Sequence, residues 1–239
     1  MRLLWRMFVW LLAALPFAVL ADAYSEKVLA DKPVAYWRFQ EVGSVTVDSV
    51  VGGLKGKLAG NHPLGPLSPF YPDFDKDNRS LQLDGSGAFI GITDPGAKSS
   101  LDFAKGDSIT MEAWVAPDSL ANGRMMYILG KGRTGRKGFA GNNQNYALRL
   151  VGIKDGHGLS FLFRDVNNSG KTSWHRWTSR GVLGANGEWH HVAGVWNSGT
   201  SQTVYLNGVE IASLATTVAS GAIRRPDRQS GPPCRRGRR

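Results

Sequence analysis

The stretch Glu188-Trp189-His190-His191-Val192-Ala193-Gly194-Val195-Trp196, followed after a Ser/Gly/Thr turn by Val204-Tyr205-Leu206-Asn207-Gly208-Val209-Glu210-Ile211, reads as a strand and then a hairpin. Asn-Gly between two β-prone runs is the strongest short-range hairpin signal, because a two-residue type I′ turn needs positive φ at both central positions and Asn and Gly tolerate it. Residues 203–206 and 209–212 are therefore predicted to pair antiparallel. Upstream, His191, Ala193 and Val195 share one face of a strand while His190, Val192, Gly194 and Trp196 share the other. Both sets are largely apolar, which predicts a strand with partners on both sides.

Short strands recur along the rest of the chain. Ile109, Met111, Ala113 and Val115 alternate with Thr110, Glu112 and Trp114, and Pro117 ends that run. Residues 34–39, 80–85, 88–92, 127–129, 146–151, 159–163 and 174–179 are predicted strands, with 88–92 pairing back onto 80–85 across Gly85-Ser86-Gly87. Ser25-Glu26-Lys27-Val28-Leu29 is a short helical lead that Pro33 stops, and the four prolines of residues 61–77 mark a surface loop. Strands at this spacing, without a long amphipathic helix, argue an all-β sandwich.

Three of these motifs resemble laminin-G-like domains of the concanavalin A-like lectin/glucanase superfamily, in the same order: Pro33-Val34-Ala35-Tyr36-Trp37-Arg38-Phe39, the Leu83-Asp84-Gly85 step, and Trp189-His190-His191-Val192 with Leu206-Asn207-Gly208. The resemblance covers residues 34–212 and implies an antiparallel two-sheet jelly-roll sandwich of the bacterial exported type. The family continues past this hairpin into further apolar strands. Here that place is taken by an Arg-rich tail, so the domain, residues 24–220, reads as incomplete at its C-terminal end.

Residues 221–239 form a basic tail expected to be disordered, since after Ile223 it has no apolar residue apart from Pro and Cys234 and its arginines repel one another. Two origins fit it: a basic arm for polyanions, or off-frame sequence replacing the true ending. At the other end, residues 1–23 read as a signal peptide, with Arg2 and Arg6, a 15-residue apolar run over 7–21, and the small residues Ala21 and Ala23 for cleavage. The run falls short of the roughly 20 residues that span a bilayer. A secreted, periplasmic or cell-surface protein is expected, with no transmembrane span in the mature chain. The single Cys234 cannot form an internal disulfide, so packing alone must hold the fold.

Of the net charge of +10, the tail carries +6 and residues 1–23 carry +1, leaving +3 on the domain. That is an ordinary surface and gives no reason to expect nucleic-acid binding. Glucanases of the resembling class carry a Glu-x-Asp-x-x-Glu strand, which this chain lacks. Glu112, Asp165 and Glu188 read as isolated solvated or turn residues, so no catalytic residue is assigned and the protein is expected not to be an enzyme. His190 and His191 point to opposite faces and cannot hold one ion, and one is expected to be buried and the other exposed.

The expectation is a binding module whose partner is a glycan or a surface protein. Its alternatives are a glycan-active hydrolase of the same fold class and a non-functional fragment of a larger surface protein. Trp174, His175, Arg176 and Trp177 are the candidate ligand-binding residues, since pyranose rings stack on aromatic faces flanked by hydrogen-bonding groups. No cofactor is expected. Relatives of the jelly roll hold calcium with loop oxygens, which draws attention to Asn142, Asn143 and Asn145, but the neighbouring Lys131, Arg133, Arg136 and Lys137 disfavour a cation that wants several carboxylates. Millimolar calcium is predicted to leave the melting temperature of purified protein unchanged, and a calcium-dependent rise in thermal unfolding would overturn this.

Overall fold

The computed structural model describes residues 22–41, 44, 46–60, 64–67, 69, 71, 73–93, 96, 99–103, 107–118, 120–132, 145–154, 156–166, 172–178, 183, 184 and 186–215. Its first element is α1 (Ala23–Ala30). Asp22 caps it, Oδ1 accepting from the Ser25 N–H at 2.6 Å, which satisfies one of the donors a helix start leaves open. The cap is tied down further by an ion pair between Asp22 and Arg38.

Two small sheets follow. β1 (Thr46–Asp48) and β2 (Lys55–Ala59) pair antiparallel, and β3 (Leu64–Leu67) pairs with β4 (Arg79–Leu81). β5 (Phe89–Ile92) adds to the far edge of β2. The predicted pairing of 88–92 with 80–85 is therefore not formed. Asp84 Oδ1 accepts from the Ser86 and Ala88 N–H groups at 2.9 and 3.1 Å, which folds the connection into a local side-chain turn and sends β5 to another partner.

The predicted strand at 34–39 is also reduced, to a bridge between Trp37 and Ser49. Ser49 Oγ takes the Tyr36 N–H at 2.8 Å in place of a carbonyl, and Phe39 has a left-handed φ of 59° that ends any ladder there.

The remaining strands build the sandwich. They are β6 (Ile109–Val115), β7 (Met125–Lys131), β8 (Tyr146–Ile153), β9 (Gly156–Val166), β10 (Thr172–Thr178), β11 (His190–Asn197), β12 (Ser201–Leu206) and β13 (Val209–Ala215). The front sheet has the order β10-β9-β8-β7 and the back sheet β13-β12-β11-β6, all neighbours antiparallel. The protein is an all-β jelly-roll sandwich. β11 lies inside its sheet between β6 and β12, as its two apolar faces require. The hairpin forms at Asn207 and Gly208, with φ of 49° and 80°.

Ile109, Met111, Leu148, Leu150, Leu159, Phe161, Phe163, Val192, Trp196 and Val204 meet between the two sheets, each 5% exposed or less. β11 packs directly against β8 and β9. Phe163 stacks on Trp196 with ring centroids 3.9 Å apart, and Gly194 leaves room for Phe161 and Leu148. A Cβ on Gly194 would come within 2.9 Å of Phe161 Cγ and 3.1 Å of Leu148 Cδ1. Gly194→Val is predicted to destabilise the fold by about 1–3 kcal/mol through overpacking, measured by denaturant unfolding.

Candidate functional site

The aromatic segment singled out from the sequence occupies β10, the edge strand of the front sheet. Its register pairs Trp174 with Arg164, His175 with Phe163, Arg176 with Leu162 and Trp177 with Phe161. The pairing places all four residues on that edge strand.

The outer side of the front sheet carries Arg149, which is 6% exposed. Its guanidinium lies 5.6 Å from the centre of the Tyr127 ring, and Nη2 donates to Ser160 Oγ at 3.2 Å. Such a cation over an aromatic face is held electrostatically as well as by packing.

Of the calcium candidates, Asn142 and Asn143 lie outside the described residues. Asn145 immediately precedes β8, is buried, and donates its backbone N–H to the Lys131 carbonyl at 2.8 Å. Lys131 itself pairs with Asp102. Among the described residues no three His, Cys, Asp or Glu side chains come together to hold a metal ion.

The outer face of the back sheet is organised around Trp114. Its indole is met by the rings of Tyr71, His191, Phe74 and Tyr24, at centroid distances of 4.6, 5.4, 5.5 and 6.3 Å. Trp114 Nε1 donates to the Tyr24 hydroxyl at 2.9 Å, Tyr24 stacks on Phe74 at 4.2 Å, and the Tyr71 hydroxyl donates to the Trp189 carbonyl at 3.1 Å. The N-terminal helix and the 71–74 segment are thus fastened over β6 and β11.

His191 stands opposite Trp114 in the ladder, and its Nε2 lies 3.6 Å from Glu112 Oε2. Contact with His191 holds the Glu112 carboxyl below its ordinary range, with burial working against it. Glu112 is therefore not the isolated carboxylate that the sequence reading assigns. The histidines do lie on opposite faces, but both are partly buried, because the N-terminal segment covers one face and the other sheet the second. His190 Nδ1 lies 3.4 Å from Asn207 Nδ2. Glu188 is exposed, as expected of a turn residue.

The Glu112–His191 pair was available in principle from alternation, since Glu112 and Trp114 share a face of one strand. What the sequence lacked was the register that sets β6 beside β11.

The fold is that of a laminin-G-like class of protein, and comparison with known families agrees. The chain belongs to the Laminin_G_3 family of the concanavalin A-like lectin/glucanases superfamily, whose model matches residues 84–232. That match runs past the hairpin into the Arg-rich segment. No curated protein matches the chain.

Among solved structures, the binding domain of Paraclostridial Mosquitocidal Protein 1 is similar over 81% of this chain and 42% of that one, at 15% identity and a TM-score of 0.48. The binding domain of botulinum neurotoxin DC in complex with rat synaptotagmin II is similar over 79% of this chain and 41% of that one, at 14% identity and a TM-score of 0.48. The chain thus spans less than half the length of each.

Burial raises the Tyr24 phenol to about 12, from an ordinary 10.0, against the favourable Trp114 hydrogen bond. The folded state therefore keeps a proton that the unfolded chain releases, and the associated stability is complete below pH 10 and is lost as pH rises towards 12. Burial also raises Tyr36, so ultraviolet titration is expected to show late-ionising tyrosine absorbance that falls by one residue in Tyr24→Phe, together with a shallower alkaline loss of stability.

Proposed function

We propose that the protein is an exported, non-catalytic binding module for a carbohydrate or polysaccharide, or for a protein partner at the cell surface. Export would use residues 1–23 as a cleaved leader, delivering the domain of residues 24–220 to the cell surface, the periplasm or the medium. Membership of a lectin/glucanase superfamily supports the reading, although one fold hosts both binding and catalysis and the site must decide.

The observation that carries it is the edge position of β10. Trp174, His175, Arg176 and Trp177 stand on the terminal strand of the front sheet, whose free edge supports the reading. Retaining glycosidases need two carboxyl groups about 5 Å apart, and inverting ones need them somewhat further apart. Glu112 instead faces a histidine, with Thr110 and Trp114 as its neighbours on the same strand face. That arrangement supports the non-catalytic reading over hydrolysis. Within the described residues no helix is long and apolar enough to cross a membrane.

On a glycan array the purified protein is expected to retain at least one carbohydrate class. Replacing Trp174 and Trp177 with Ala is expected to abolish that retention, while reducing-sugar assays on the retained glycan show no release. Retention unchanged in the double variant, or release of reducing ends, would overturn the reading.

A further inference from the structure

Helix α1 begins at the boundary that export would cut. The peptidase that removes a leader recognises small residues directly before the cut and three residues before it. For the Ala23–Tyr24 bond those positions hold Ala23 and Ala21, and for the Ala21–Asp22 bond they hold Ala21 and Val19, a short aliphatic side chain. Two neighbouring bonds therefore suit the same enzyme, and the fold treats them differently.

Cutting after Ala23 removes Asp22, a residue the fold uses three times. Its φ of −63° and ψ of 156° are the extended values of a cap, its Oδ1 accepts from the Ser25 N–H at 2.6 Å, and its carbonyl accepts from the Glu26 N–H at 3.0 Å. Its Oδ2 pairs with Arg38, the two side chains being 5% and 20% exposed. Among the described residues Asp22 is the ion-pair partner of Arg38. Without it two N–H groups of α1 lose their acceptors, and a largely covered guanidinium is left with no counter-charge, which costs more than losing an exposed pair.

The same cut would turn the Tyr24 nitrogen, which donates to the Asp73 carbonyl at 2.9 Å, into an ammonium within the first turn of α1, where the helix dipole is already positive. Cutting after Ala21 avoids both effects. The cap stays, and the new ammonium sits on Asp22, outside the helix and beside that residue's own carboxylate.

We propose that the leader ends at Ala21, so that the exported chain starts at Asp22 and uses that residue to cap α1 and hold Arg38. The proposal rests on the export reading and moves its boundary from Ala23 to Ala21. Helix α1 carries Tyr24, whose hydroxyl takes the Trp114 indole N–H at 2.9 Å, so the retained cap steadies the cover over β6 and β11.

The test expresses the full chain from Met1 in a bacterial host, collects the exported protein and reads its first residue by N-terminal sequencing and intact mass. Asp22 is expected. Ala23→Phe sets a bulky side chain before the later bond, at an exposed position of α1, and is expected to leave the cut where it is. Asp22→Ala is expected to be cut at the same bond and to melt lower by about 2–4 °C or more. Should that variant fail to fold, Asp22→Asn keeps the cap, removes the charge, and is expected to show a smaller drop. Tyr24 as the first residue, loss of cleavage in Ala23→Phe, or melting unchanged in the Asp22 variants would each defeat the proposal and leave export standing. A chain that still carries Met1 removes the export reading and the proposal together.

Discussion

The two sheets can lie against each other because β11 carries Gly194 beside Trp196. The glycine lets Phe161 and Leu148 close over the strand, and two residues on the indole of Trp196 stacks on Phe163. One position gives space and the next takes it, which is how a sandwich reaches interior packing density without voids. With no internal disulfide available to a chain of one cysteine, this dispersion and desolvation energy is what orders the eight strands. The outer faces, with their charges and aromatic rings, are held in register by that inner contact.

A second layer of organisation depends on Trp114. The back sheet has an outer face that would otherwise be half apolar and wet, and α1 with the 71–74 segment covers it through Tyr24, Phe74 and Tyr71. Polar groups are matched as they are buried: the indole N–H finds the Tyr24 hydroxyl, and Glu112 finds His191. The back sheet is thereby committed to holding the N-terminal segment.

Local signals carried far in this chain. The Asn207-Gly208 turn, the alternation of Ile109–Val115, the helix stopped before Pro33 and the two-sided character of β11 are each written in a few neighbouring residues, because a turn type or a strand face is set by local backbone geometry. Pairing was less legible. β5 joins β2 and leaves β4 to β3, since the Asp84 side chain satisfies the backbone that a hairpin would have used. Residues 34–39 have the composition of a strand, yet Ser49 Oγ takes a bond that a neighbouring strand would otherwise accept. For the candidate site, the sequence located the aromatic segment 174–177 but not its place as the edge strand of the front sheet, which depends on long-range pairing with β9.

By itself the sequence determined the class of fold, the hairpin, the lack of disulfide support and the total charge, because each depends on residue identity or on geometry within one turn of chain. Only the tertiary structure decided which strands are neighbours, and with that it decided that Glu112 meets His191. The reason is physical: strand register is a long-range pairing, selected by how all the apolar faces can be buried together, so the surface it assembles belongs to no single segment.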